Sequence, residues 1–180
     1  MSRLTAPTLA DVPAEAQSIL DGIRKHFGFA PGMFNTLAAN PAVLEIVMAL
    51  QGGIGRLLDA KTRHTIALAV SRSNGCDYCQ ALHTYTSSEL GGMSSDDIEL
   101  ALTGSSTDPR RAAVARFVQR VIETRGQVSD ADIAAVRGAG YSDADILAIV
   151  TTAVVSLLTN YLNNVNQTVI DIPPITTKTV

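Results

Sequence analysis

The sequence is short of aromatic rings and of charge. Its 180 residues contain no tryptophan, four tyrosines and four phenylalanines, and only 17% are Asp, Glu, Lys or Arg. A core poor in rings has to be built from aliphatic side chains and alanine. A basic excess is missing as well: 14 Lys+Arg face 17 Asp+Glu, for a net charge of −3. No clustered basic face is available for DNA or RNA, so no nucleic-acid partner is expected. The 46% hydrophobic content excludes a disordered chain. Cysteine is limited to two residues, too few for a disulfide framework. The opening stretch Met1-Ser-Arg-Leu-Thr-Ala-Pro7 has no apolar run, and no secretory leader is expected. The longest uncharged run, Ile146 to Ile170, is interrupted by Thr151, Thr152, Ser156, Thr159 and Asn160. It reads as a buried core or subunit-interface helix, not a membrane span. A cytoplasmic location is the resulting expectation. In that compartment thiols stay reduced, so a close cysteine pair points to redox or metal chemistry before a structural staple.

What is present is helical punctuation. Pro13 opens a first helix expected to reach His26 or Phe27, and the turn Gly28 to Gly32 ends it. A short helix over Met33 to Ala39 and a third from Pro41 to about Leu50 follow, with Gly52, Gly53 and Gly55 expected to loosen its end. Asp59 is a candidate N-cap ahead of an apolar stripe containing Ile66, Ala67 and Val70, which stops at Asn74-Gly75. Cys76 opens a further helix to Leu90. Three Ser-led acidic clusters, Ser94 to Ile98, Ser129 to Ile133 and Ser142 to Ile146, each place a hydroxyl cap before acidic first-turn residues. Capping accounts for these aspartates without a metal. Helices are also expected from Asp108-Pro109 to Arg125 and from Ser142 to about Asn164, with the tail from Asp171 to Val180 extended at its prolines. No strand series and no linker interrupt this pattern, so residues 1–180 read as a single all-α domain.

Both cysteines fall in one motif, Gly75-Cys76-Asp-Tyr-Cys79-Gln-Ala-Leu-His83, and His64 lies on the preceding helix. Cys76 sits at a helix start, where unpaired N–H groups and the helix dipole favour a thiolate. Cys79 is within disulfide reach three residues on. His83 follows Cys79 by one helical turn on the same face, the arrangement of an activated nucleophile. A second thiol can resolve a sulfenic acid to a disulfide. Three readings are open on residue type alone. One is redox catalysis. A second is zinc held by Cys76, Cys79, His83 and His64, although the spacing is not that of a common finger. In the third, the cysteines are small buried hydrophobes. A thioredoxin-like reading would need a βαβ context, which is not visible.

The stretch from Leu58 to His83 (Leu-Asp-Ala-Lys-Thr-Arg-His-Thr-Ile-Ala-Leu-Ala-Val-Ser-Arg-Ser-Asn-Gly-Cys-Asp-Tyr-Cys-Gln-Ala-Leu-His) resembles the core motif of the carboxymuconolactone decarboxylase superfamily, and within it the alkylhydroperoxidase AhpD-like branch. Looser similarity covers Gly32 to Leu37, Thr159 to Asn164 and Asp171 to Pro173. The resemblance implies an AhpD-like helical bundle that assembles as a homo-oligomer (dimer, trimer or hexamer). It implies a thiol-dependent peroxidase acting on alkyl or hydrogen peroxides, without metal, flavin or other cofactor. In that mapping Cys79 attacks the peroxide, Cys76 resolves it, His83 serves a proton relay, and an external dithiol or disulfide-reductase partner restores the pair. Relatives lacking the pair decarboxylate a muconolactone, and retention of both cysteines argues against that chemistry here.

One position departs from the family pattern. The relay Glu normally lies twelve residues before the first motif cysteine, and His64 occupies that place. An imidazole can accept a proton near neutral pH but cannot pair with a cationic His83; a cationic His64 would depress a thiol pKa. Peroxidase activity is therefore expected to be weakened, retuned in pH, or replaced by disulfide exchange. A non-enzymatic zinc-binding or redox-sensing scaffold and a decarboxylase-like lyase remain alternatives. Among lesser features, Tyr78 is either a hydrogen-bond donor to a bound peroxide or a packing residue. Asp77 is a first-turn acid that opposes thiolate formation. Asn160, Asn163 and Asn164 either bridge helices or subunits or end the last helix, and the methionines fill the core.

Overall fold

The computed structural model describes residues 1–8 and 10–175, and the expectation for the tail from 176 to 180 lies outside them. Among the described residues there are nine helices and no strand: α1 (Ala14–Phe27), α2 (Gly32–Leu37), α3 (Pro41–Ile54), α4 (Ala60–Ser73), α5 (Asp77–Glu89), α6 (Ser95–Leu102), α7 (Pro109–Glu123), α8 (Asp130–Gly138) and α9 (Asp143–Asn166). The all-α expectation holds.

The expected caps are where the sequence puts them. Asp59 accepts from Thr62 N at 3.0 Å, and Ser94 accepts from Asp97 N at 3.2 Å. Ser129 and Ser142 form reciprocal capping boxes with Asp132 and Asp145. The expectation for the end of α3 is corrected: the helix runs through Gly52 and Gly53 to Ile54. Ile54 is buried, so its packing outweighs the weak helix propensity of the two glycines. Helix α9 also runs past Asn164, to Asn166.

Helix α4 is the axis. It packs against α5, α6, α7 and α9. Ile66, Leu68, Ala69 and Val70 point around its circumference and are all fully buried. On one side, Ile66 and Val70 join Val114, Phe117 and Val118 of α7 and Ile149 and Ala153 of α9. On another, Leu68 meets Met93 and the α6 residues Ile98 and Ala101. A separate cluster joins α1, α2, α3 and α5 through Leu20, Ile23, Phe34, Leu44, Val47 and Leu82, and it includes both cysteines. Helix α9 is the one helix among the described residues long and apolar enough to cross a membrane by length and composition. Half of that length is buried, and it packs on α3, α4, α5 and α7 as a core helix.

One buried charge holds the α6–α7 connection. Asp97 accepts from Thr107 N (2.9 Å), Thr107 Oγ1 (2.8 Å), Ser106 Oγ (2.9 Å) and Arg111 Nη2 (2.9 Å). Although burial opposes ionisation, these donors and the Arg111 guanidinium bring its carboxyl down to about 2. Asp97→Ala leaves the Arg111 charge without this partner and two hydroxyls without their acceptor. The expected cost is about 3 kcal/mol of folding free energy, read as a lower urea midpoint with an unchanged slope.

Candidate active site

Gly75 sets up the site. Its φ of +57° lies in the left-handed region, so the chain turns there at little steric cost from the end of α4 into α5. The next residue, Cys76, is the N-cap of α5, and its sulfur accepts from Cys79 N at 3.3 Å. Cys76 and Cys79 are joined as a disulfide, with Cα atoms 5.3 Å apart. Both are buried, at 0% and 2% exposure. The pair sits inside an apolar cluster and not on the surface, so anything that reacts with it needs a path in.

His83 lies one turn beyond Cys79 on α5, half-buried. His64 approaches from α4 and is also half-buried. Room for His64 depends on Gly91: a Cβ at that position would stand 2.7 Å from His64 Cδ2 and 2.8 Å from Nε2. Burial, then the nearby His64, push His83 down to about 4. Burial, then the Arg63 guanidinium, hold His64 below the ordinary histidine value. Both rings are therefore neutral at pH 7, and the expectation that a cationic His64 depresses the thiol pKa is corrected.

Three segments of looser family resemblance meet on the other side of the pair. Tyr78 accepts at its hydroxyl from Met33 N (3.1 Å) and donates to Asp171 Oδ1 (3.2 Å). Asp171 Oδ2 accepts from Gly32 N at 2.8 Å. Burial and the Asp171 carboxylate raise the Tyr78 pKa, so the phenol stays protonated. Tyr78 thus latches α5 to the start of α2 and to the segment after α9; its hydroxyl proton is committed to Asp171 and not aimed at a peroxide. The asparagines of α9 bridge elements and do not end the helix. Asn160 donates to Ser71 Oγ (3.4 Å) and accepts from Asn74 Nδ2 (3.2 Å), and Asn164 donates to the Asn74 carbonyl (3.0 Å). Asn163 donates toward Cys79 Sγ at 3.3 Å. This contact was not assigned from sequence, where asparagines at three- and four-residue spacing near a helix end also fit termination.

A cleft of about 470 Å³ opens between the start of α5 and the end of α9, lined by Tyr78, Asn163, Gln167, Thr168 and Ile170 among others. It lies beside the residues that contact Cys79. No group of three or more His, Cys, Asp or Glu side chains among the described residues is disposed to hold a metal ion. The four-ligand zinc arrangement is therefore not assembled in the disulfide state.

The neutral His83 has a measurable consequence. A histidine with a lowered folded-state pKa leaves stability untouched above its unfolded value of 6.5, and takes it away as pH falls toward the folded value of about 4, because the unfolded chain binds the proton more readily. Urea unfolding across pH 7 to 4 is expected to show a stability loss that is smaller in His83→Gln. An equal slope in the two proteins would mean that His83 is not desolvated.

The carboxymuconolactone decarboxylase family profile matches residues 41–123. That segment carries α4, both cysteines, His64 and His83. A peroxidase-related protein with an alkylhydroperoxidase AhpD core from Ralstonia eutropha JMP134 superposes with a TM-score of 0.84 at 24% identity, covering 94% of this chain and 92% of its own. A peroxidase-related protein from Silicibacter sp. TM1040 gives 0.82 at 22% identity, with 93% and 91% covered. A cysteine-to-alanine variant of the debrominase Bmp8, in complex with 2,3,4-tribromopyrrole, gives 0.81 at 16% identity, with 95% and 92% covered. No curated protein matches the sequence. Residues 41–123 are thus similar to the carboxymuconolactone decarboxylase family, and the chain shares the fold of the peroxidase-related proteins with an AhpD core.

Proposed function

We propose that the protein is a thiol-dependent peroxidase. The observation that carries this reading is the pair Cys76 and Cys79 within bonding distance at the start of α5, with His83 one turn on. In the reduced protein the Cys79 thiolate attacks the terminal oxygen of a hydroperoxide. The S–O bond forms as the O–O bond breaks, and the departing alkoxide takes, through His83 backed by His64, the proton that the Cys79 thiol gave up on ionising. Cys79 is left as a sulfenic acid, two electrons more oxidised. The Cys76 sulfur then attacks the Cys79 sulfur, water leaves, and the disulfide is complete. An external dithiol, or a disulfide-reductase partner, returns both electrons by thiol–disulfide exchange. The relay runs between two neutral imidazoles, which supports proton hand-over and not ion pairing. The cleft beside Tyr78 and Asn163 is the route we assign to the peroxide.

We further infer a homo-oligomer working in the cytoplasm. The support is an uncharged stripe on the outer face of α9: Leu147, Val154, Leu158, Tyr161 and Val165 are 71%, 51%, 37%, 57% and 62% exposed. After a seven-residue step from Leu147 they recur at four-, three- and four-residue spacing, the register of a helix that packs against another helix. Leu158→Glu puts a charge in that stripe and is expected to shift the sedimentation coefficient toward the monomer, with helical content unchanged. A monomeric parent protein would refute the inference.

The test of the peroxidase reading is a single turnover. Reduced protein mixed with one equivalent of an organic hydroperoxide, without external thiol, is expected to consume one peroxide and two thiols per chain. Cys79→Ser is expected to lower the rate at least a hundredfold. A parent rate no faster than that of a small-molecule thiol would refute the reading. Full turnover of a carboxylated metabolite by Cys79→Ser would replace it with the lyase reading.

A further inference from the structure

Within that reading, the source of thiolate stabilisation is still to be accounted for. The titratable groups around the pair are Asp77, Tyr78 and His83 on α5, His64 on α4, and Asp171 after α9. Helix α2 carries none, and the end of α9 only the exposed Tyr161. With the pair joined as a disulfide, burial pushes His83 down to about 4 and the phenol stays protonated, and the two carboxylates oppose a thiolate. Among the described residues, no Lys or Arg side chain donates a hydrogen bond to either sulfur. The N–H of Cys79 is also spent, since it points at the Cys76 sulfur.

The remaining donor is a side-chain amide. Asn163 is 2% exposed, and it is the one side chain among the described residues that donates to Cys79 Sγ, at 3.3 Å. Its orientation is fixed chemically. Nδ2 also lies 2.9 Å from the Thr159 carbonyl, which only accepts, so the NH₂ and not the carbonyl oxygen must face that way. Oδ1 in turn accepts from Thr168 Oγ1 at 2.8 Å. The amide has two hydrogens and three acceptors. One hydrogen serves Thr159, and the other lies between Cys79 Sγ and Met33 Sδ, the latter 2.9 Å away.

We propose that Asn163 is a catalytic residue of the redox pair, supplying the neutral hydrogen-bond donor that stabilises the Cys79 thiolate. In the disulfide both sulfurs are weak acceptors and share the hydrogen. Reduction and loss of the thiol proton turn Cys79 Sγ into an anion, a far stronger acceptor than a thioether, and the hydrogen moves wholly to it. Asn163 therefore favours the thiolate over the thiol and the disulfide, and Met33 is the resting place of the donor. The Thr159 and Thr168 contacts hold the amide in place, so little reorganisation is needed. Charge stabilisation by a neutral, buried dipole also keeps the site free of a fixed cation.

The test reads the thiol directly and does not require peroxidase activity. In the Cys76→Ser background, which leaves a single thiol, the pH dependence of Cys79 alkylation by iodoacetamide gives its apparent pKa. Asn163→Leu, similar in size but without a donor, is expected to raise that pKa by about one unit, a tenfold loss of thiolate below the pKa. Asn163→Ser, whose hydroxyl returns to the Thr159 carbonyl, is expected to raise it likewise and serves if the Leu variant fails to fold. An unchanged alkylation profile in a folded variant overturns the proposal. A purely structural role would lower the melting temperature and leave the profile in place. If the pKa rises but the parent protein consumes no peroxide, the role of Asn163 stands and the peroxidase reading falls.

Discussion

The burial of α4 on every side is the constraint on which the rest of the structure rests. A helix with Ile66, Leu68, Ala69 and Val70 fully excluded from water has to be wrapped, and α5, α6, α7 and α9 do so. The same wrapping brings the chemistry together. His64 is presented from α4, the left-handed Gly75 hands the chain to Cys76, and α9 runs past both with its asparagines. Moving α4 would displace the histidine, the turn and the Asn160–Asn164 bridges to Ser71 and Asn74 together.

A second theme is the near-absence of charge around the redox pair. Both sulfurs sit in an apolar cluster with Leu82, Phe34 and Leu44. In such surroundings an ionised histidine would lose hydration without an acid partner, and the absence of a carboxylate at position 64 removes that partner. The polar groups that do enter are paired with one another: Tyr78 with Met33 N and Asp171, and Asn163 with Thr159 and Thr168. Asp171 joins the start of α2 to α5 through these bonds, which explains why segments far apart in sequence share one neighbourhood.

Local rules performed well where the deciding interaction is local. Asp59, Ser94, Ser129 and Ser142 are caps because a side-chain oxygen three residues ahead of a free N–H finds it in almost any tertiary setting. The Cys76 start of α5 and the turn at Asn74-Gly75 were legible for the same reason. The end of α3 was not, because the buried Ile54 carries the helix through two glycines. The roles of Tyr78 and Asn163 were also out of reach. A tyrosine between two cysteines, or an asparagine near a helix end, has several plausible partners, and only the approach of Met33, Asp171 and Thr168 selects among them.

The sequence by itself determined the helical class, the caps, the spacing of Cys76, Cys79 and His83 on one helix, and the departure at His64. These follow from the 3.6-residue period and from hydrogen bonds made within a few residues. The tertiary structure alone decided that both histidines are neutral, that Tyr78 is committed to Asp171, and that an amide 84 residues away faces Cys79. Desolvation and hydrogen-bond direction depend on which elements surround a group, and that is settled only when α4 is enclosed.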